Sequence, residues 1–124
     1  MVNPRVKALW LDALRGEKYE QGHGCLRRGN RFCGIGVLCD IHGRETGTQW
    51  REIGDFAVHV YLNSYSVLPE AVRAWAQIDP AIALSIAEYD NEVAITFNEL
   101  ADRIEAISWM PEPIAARSAR GGRA

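Results

Sequence analysis

The sequence predicts an α+β fold in which four to five helices pack around a small antiparallel sheet as a single compact domain. Apolar residues recur at helical spacing near both ends of the chain, and a β-branched and aromatic segment lies between them. The hydrophobic fraction of 48% and the charged fraction of 24% are typical of globular proteins. We therefore expect one globular domain over residues 1–110, followed by a disordered basic tail over residues 111–124.

The first helix is predicted from its ends. Asn3 can cap it, Pro4 suits its first turn and Gly16 can end it. The apolar residues between them repeat every three or four positions, which places them on one face. We expect the first and last helices to share a core through Leu9, Trp10, Leu100 and Ile104.

Residues 16–31 predict a loop, because four glycines interrupt any helical or strand period, with a short hairpin around Gly29. The apolar run of residues 32–41 fits either a buried strand or a helix that contains glycine. We favour a helix ending at Gly43, because the helical spacing continues through Val37, Leu38 and Ile41.

The middle of the chain predicts a polar loop over residues 43–54 and a strand over residues 56–62, which are rich in β-branched and aromatic side chains. Pro69 and Pro80 each suit the start of a helix, so two helices should follow and meet at a tight corner.

The last helix has the clearest local signal. Thr96 and Glu99 have the spacing of a capping box, and the apolar residues that follow form one face. The helix is predicted from about Phe97 to Trp109, where prolines follow.

The segment Arg31-Phe32-Cys33, followed by Gly36-Val37-Leu38-Cys39-Asp40, is the most specific part of a wider pattern that extends over residues 6–107. This pattern resembles a family of small phage and actinobacterial prophage proteins. The resemblance implies a phage or prophage accessory protein that works in a bacterial host cytoplasm. That family often has two adjacent cysteines where this chain has Cys33 and Gly34, which argues against a role that needs a vicinal thiol pair.

Charge makes nucleic acid an unlikely partner. Residues 1–110 contain 11 basic against 15 acidic residues, a net charge of −4, whereas nucleic-acid binders neutralise phosphates with lysine and arginine. The last two helices resemble a helix-turn-helix, but the final one carries Glu99, Asp102 and Glu105 against Arg103 alone. A DNA-binding regulator is therefore the weaker alternative, and a structural helical hairpin is favoured.

The sequence predicts no membrane segment and no signal peptide, and hence a cytoplasmic protein. The chain has three cysteines, an odd number at uneven spacing, which indicates reduced thiols rather than disulfides. Their arrangement with the histidines lacks a Cys-x-x-Cys pair, so we expect no metal and no cofactor, with Cys33, Cys39 and His42 as the weak metal candidates. Apolar neighbours would raise the pKa of these thiols, so we assign no catalytic residue.

The loop before the apolar run is the predicted binding segment. Arginine beside aromatic residues suits both anionic ligands and protein hot spots, although a solvated surface loop would have the same composition. The leading hypothesis is a non-enzymatic protein that binds a host protein or complex, for example as an inhibitor of a defence system. The alternative is a protein that binds or acts on an anionic small molecule such as a nucleotide. The candidate residues are Tyr19, Gln21, His23, Arg27, Arg28 and Arg31.

Overall fold

A computed structural model describes residues 2–92 and 95–107, and over these residues it confirms the α+β fold. The helices are α1 (Pro4–Arg15), α2 (Gly34–Thr46), α3 (Glu70–Ala76), α4 (Pro80–Asp90) and α5 (Phe97–Ala106). The strands are β1 (Glu20–Gln21), β2 (Arg27–Arg28), β3 (Arg31–Phe32), β4 (Arg51–Ile53) and β5 (Val58–Val60). The predicted tail over residues 111–124 lies outside the described residues.

The sheet is mixed rather than wholly antiparallel. Its strand order is β1-β3-β2-β5-β4, with β1 parallel to β3 and the other three pairings antiparallel. The predicted hairpin at Gly29 joins β2 to β3, and Gly29 has the positive φ of 58° that such a tight turn favours. The hairpin brings β3 back beside β1 in the same direction, which creates the parallel pair.

Helix α2 lies at the centre of the fold, where it contacts α1, α3, α4 and β3. Val37, Leu38 and Cys39 in this helix are fully buried. The end helices α1 and α5 also pack together, as the sequence predicted. Trp10, Leu100 and Ile104 are buried there, and the Trp10 indole donates a 2.9 Å hydrogen bond to the Gly34 carbonyl.

The predicted core position of Leu9 is wrong, because its side chain is 38% exposed. The buried face of α1 contains Val6, Trp10 and Leu14, which recur every four residues. Leu9 precedes Trp10 by one residue and is therefore rotated by about 100° from that face.

Helix α2 begins later and ends later than predicted. Phe32 belongs to β3, Cys33 caps the helix through its Sγ, and Gly47 ends it in a left-handed conformation with φ of 79°. Gly43 lies inside the helix. A Cβ there would approach the Thr48 carbonyl to 2.6 Å, so this glycine allows close packing instead of ending the helix.

The strand predicted over residues 56–62 is shorter, and the loop predicted over residues 43–54 contains β4. Positive φ angles at Ala57 (58°) and Leu62 (49°) stop β5 from extending further in either direction. The three residues of β4 are all exposed, so no apolar alternation marks them in the sequence.

The predicted starts of α1, α4 and α5 are confirmed, whereas Pro69 precedes α3 as its N-terminal cap residue instead of beginning it. The Asn3 side chain accepts from two backbone amides of α1, and Thr96 and Glu99 form the capping box of α5. Three residues separate α3 from Pro80, which begins α4, and this gives the predicted corner. The predicted end of the last helix at Trp109 lies outside the described residues. No helix within residues 2–92 and 95–107 is both long enough and apolar enough to cross a membrane.

Candidate functional site

The strand register divides the side chains of the sheet between two faces. Residues directly opposite each other on paired strands point to the same side. One face therefore carries the row Gln21, Phe32, Arg27, His59 and Glu52. The other carries the row Glu20, Arg31, Arg28, Val58 and Ile53.

The first face packs against α2 around the carboxylate of Asp40. The Tyr19 hydroxyl donates to Asp40 Oδ2 at 2.6 Å, the Trp50 indole donates to Oδ1 at 3.1 Å and Arg44 Nε donates to Oδ2 at 3.1 Å. The Asp40 side chain is only 14% exposed, so these three donors replace much of its hydration. The network fixes the positions of two aromatic rings and one arginine.

Phe32 lies between these two rings. It meets Tyr19 edge to face at 5.0 Å between centroids and Trp50 at 5.9 Å. The contacts form an aromatic wall beside Asp40. Desolvation by burial, followed by the hydrogen bond to Asp40, raises the pKa of Tyr19, so its hydroxyl stays protonated as a donor at neutral pH.

Arg27 lies on this wall. Its guanidinium carbon is 5.1 Å from the Phe32 centroid and 5.6 Å from the Trp50 centroid, and its Nε donates to the Gly29 carbonyl at 2.7 Å. Cation–π contacts of this kind hold an arginine in one orientation. Within the described residues Arg27 makes no ion pair, so its two terminal nitrogens remain available for another acceptor.

Two recesses open beside this arginine, with volumes of about 460 and 410 Å³. Arg27, Asp40 and Arg44 line both. The first also includes Thr48, Gln49 and His59, and the second Lys18 and Asn30. We call this region, with its aromatic wall, the Asp40 cleft.

The opposite face of the sheet is rich in arginine and is exposed at Arg28, Arg31 and Arg51, whereas Val60, which pairs with Arg51 on the same face, is buried. Arg28 and Arg31 are directly paired across β2 and β3, and Arg51 shares their face because it precedes Ile53 by two residues. The closest carboxylate is that of Glu20, 3.8 Å from Arg31. Ile53 is 40% exposed, and Phe56 in the following turn is 79% exposed. We call this surface the arginine face.

Residues 2–108 match the sequence model of the domain of unknown function DUF8296. The chain belongs to this family. The matched range includes every described helix and strand, and hence both faces of the sheet. No curated protein and no solved structure matches the chain. The resemblance to phage and prophage proteins stays a prediction.

The predicted binding residues of this DUF8296 domain separate into different environments. Tyr19 and Arg27 lie in the Asp40 cleft, whereas Arg28 and Arg31 lie on the arginine face. The Gln21 side chain instead links β1 to α5, since its amide donates to the Ile95 carbonyl at 2.7 Å and accepts from Phe97 N at 3.1 Å. The six residues therefore do not form one site.

His23 is exposed and lines a third recess of about 310 Å³, with Cys25, Cys33 and Asp90. Asp90 is buried and accepts from the backbone amides of Gly34 and Ile35 at 2.9 and 3.0 Å. Its carboxylate thus occupies the N-terminus of α2, where an external anion would otherwise be favoured. The Asp90 carboxylate in this recess therefore acts as the N-terminal cap of α2.

The cysteines are poorly suited to nucleophilic chemistry. Burial raises the pKa of Cys33, and the nearby Asp90 carboxylate raises it further. Burial likewise raises the pKa of Cys39. Both thiols are therefore protonated at neutral pH, and the reactive species would be the thiolate.

The weak metal candidates do not assemble either. His42 Nδ1 and the Tyr61 hydroxyl share a hydrogen bond of 2.5 Å, which occupies one of the two ring nitrogens of His42. Among residues 2–92 and 95–107, no three His, Cys, Asp or Glu side chains are placed to hold a metal ion.

Sequence reasoning assigned no role to Asp40, Arg44 or Trp50, which build the cleft. Asp40 and Arg44 lie one helical turn apart, a spacing that indicates an ion pair only because α2 continues past Gly43, where the sequence predicted its end. The role of Trp50 in the cleft could not be predicted from the sequence, because Trp50 reaches Asp40 from a loop that has no periodic pattern.

Proposed function

We propose that this chain is a non-enzymatic binding protein and that its arginine face docks onto an acidic surface of a partner protein. The observation that supports this proposal is the exposed set Arg28, Arg31 and Arg51 on one side of the sheet, with Glu20 as its nearby carboxylate. Arginine on a rigid sheet presents its planar donors in fixed positions, which suits carboxylate recognition.

An acidic protein surface fits this face better than nucleic acid does. The net charge of −4 over residues 1–110 disfavours a long polyanion that extends beyond the three arginines, whereas a local acidic patch of a protein needs to contact the arginine face alone. The exposed Ile53 and Phe56 also offer apolar contact area, which protein interfaces use at their centres. Complementary charge would orient the partner, and the apolar residues would add affinity.

The resemblance to phage and prophage proteins adds a biological setting to the proposal. In that setting the partner is a host protein or complex in the bacterial cytoplasm, and occupying its surface would inhibit or modulate it. The raised pKa values of Cys33 and Cys39 argue against thiolate catalysis by these two residues.

The alternative of one anionic small molecule held by Tyr19, Arg28 and Arg31 is not supported by the register. Tyr19 lies against the covered face beside Phe32, whereas both arginines point to the other side. A small ligand could not contact all three residues at once.

The proposal is tested with a fluorescently labelled poly-glutamate peptide as the acidic probe, and anisotropy as the readout at low and at physiological salt. We expect saturable binding that weakens by at least about tenfold in the double variant Arg28→Gln/Arg31→Gln. Arg103→Gln is the matched control, because it removes an arginine from α5 and leaves both faces of the sheet unchanged.

A single-stranded oligonucleotide of equal charge is the competing probe. Tighter binding of the oligonucleotide than of the peptide would overturn the assignment of an acidic protein surface. Equal peptide binding by the wild type and the double variant would show that the arginine face is not the docking surface.

A further inference from the structure

We infer that the Asp40 cleft binds a small molecule through an oxyanion group, a phosphate or a carboxylate, and that Arg27 recognises this group. The site is independent of the proposed function, because it lies on the opposite side of the sheet from the arginine face. The inference depends on the orientation of Arg27, on its lack of an internal counter-ion and on the space beside it.

The orientation of Arg27 is set by three contacts. Two aromatic rings, Phe32 and Trp50, support its guanidinium, and the Gly29 carbonyl accepts from its Nε. The Nε bond fixes one edge of the planar group and leaves the terminal nitrogens for another acceptor. Such an arginine has already lost much of its side-chain entropy, so little more is lost when an oxyanion binds.

The nearby carboxylate of Asp40 does not neutralise Arg27. Both Asp40 oxygens already accept hydrogen bonds, Oδ1 from Trp50 and Oδ2 from Tyr19 and Arg44. Asp40 therefore holds the walls of the cleft. The two other carboxylates that line the recesses, Glu52 and Glu20, lie 3.7 Å from His59 Nε2 and 3.8 Å from Arg31 Nε, and among the described residues Arg27 itself makes no ion pair.

A second arginine, Arg44, stands at the same opening, with its Nε paired with Asp40 Oδ2 at 3.1 Å. Arg44 lines both recesses, its side chain is 74% exposed, and its guanidinium carbon lies 5.9 Å from the Tyr19 ring centroid. With Arg27 it flanks the space in which an anionic group would sit.

The two recesses of the cleft are open to solvent. With volumes of about 460 and 410 Å³ they can admit a small anionic group, while the rest of the bound molecule would stay in contact with water. Thr48, Gln49 and Asn30 supply neutral polar groups beyond the two arginines, so the remainder of the ligand would be polar. The faces of Phe32 and Trp50 that Arg27 covers are not open for stacking, which makes the anionic group the main determinant.

The test uses three probes: inorganic phosphate, adenosine monophosphate and succinate. Binding is measured by isothermal titration calorimetry, and the indole N–H resonance of Trp50 is followed by NMR. We expect saturable binding of at least one probe, with a shift of the Trp50 resonance because this ring supports Arg27. Preference for phosphate and adenosine monophosphate over succinate identifies a phosphate ligand, and the reverse identifies a carboxylate.

The variants make the assignment specific. Arg27→Gln should weaken binding by at least about tenfold, and Arg27→Lys should restore only part of it, because an ammonium cannot bind an oxyanion through two parallel bonds. Arg28→Gln is the matched control and should bind like the wild type. Arg27 also packs on the aromatic wall, so its substitution affects packing as well as binding. Arg44→Gln, at an exposed position, is therefore a second variant that should lose binding, and its melting curve checks that it is folded.

Failure of all three probes to saturate at millimolar concentration would overturn the inference. Unchanged affinity in folded Arg27→Gln would also overturn it. Neither result bears on peptide binding by the arginine face, so the two proposals can fail separately.

Discussion

Arg27 and Arg28 are consecutive residues of β2, and their side chains leave the sheet on opposite faces. Arg27 pairs with Phe32 and His59, whereas Arg28 pairs with Arg31 and Val58. Because side chains alternate with a period of two, a shift of one residue in the register would exchange the two arginines. The register of one short strand therefore separates the Asp40 cleft from the arginine face.

The first prediction concerns the carboxylate that organises the cleft. Asp40→Ala leaves the Tyr19 hydroxyl and the Trp50 indole without their shared acceptor, and we expect a loss of about 2 kcal/mol in the free energy of unfolding. Asp40→Asn should lose less, because its amide oxygen can still accept. Urea denaturation measures both variants. The exposed Asp12→Ala should stay within about 0.5 kcal/mol of the wild type, and equal losses at the two positions would contradict the role given to Asp40.

The second prediction concerns the start of α2. A Cβ at Gly36 would overlap the backbone carbonyl of Leu26, which cannot move aside as a side chain could. Gly36→Ala should therefore destabilise by about 3 kcal/mol, despite the better helix propensity of alanine. The control is Gly24→Ala, where φ is 88° but nothing lies within 4 Å of the added Cβ, so only backbone strain of about 1 kcal/mol is expected. Thermal melting measures both variants. A lower melting temperature for Gly24→Ala than for Gly36→Ala would contradict this account.

The third prediction concerns the buried cap of the same helix. Asp90→Ala leaves the amides of Gly34 and Ile35 buried without an acceptor, so we expect a loss of about 2–4 kcal/mol. Asp79→Ala is the matched change, because Asp79 is only partly buried and caps α4 through one bond from Ala81 N, which is worth about 1 kcal/mol. Chemical denaturation should therefore rank Asp90→Ala as clearly the less stable; a similar loss in both would mean that burial of the cap has little effect.

The parts of the fold that the sequence predicted correctly are those set by local chemistry. Asn3 and the pair Thr96 and Glu99 place helix starts through hydrogen bonds to residues two or three positions away. Gly29 marks the hairpin turn through its positive φ. These signals depend on neighbouring residues alone, so no knowledge of tertiary structure was needed.

The predictions that were wrong depended on distant contacts. Gly43 looks like a helix stop, yet it lies inside α2, where the Thr48 carbonyl passes too close for a Cβ, and Gly47 ends the helix instead. The parallel pairing of β1 with β3 follows from the path of the whole loop rather than from either strand. Prediction of the site was limited in the same way. Tyr19 and Arg27 were identified by residue type, but the sequence did not predict the strand register that separates them from Arg28.

The fourth prediction concerns pH. Burial lowers the pKa of His42 below the ordinary value of about 6.5, where its imidazole packs against Tyr61 and Trp75. The unfolded chain then binds a proton more readily than the folded chain, so stability is fully present above about pH 6.5 and decreases as the pH falls towards the folded pKa. In His42→Gln this part of the pH dependence should disappear, whereas the same change at the exposed His23 should leave it intact. Urea denaturation at several pH values between about 7.5 and 5 measures the slopes, and an unchanged slope in His42→Gln would show that His42 is not the group responsible.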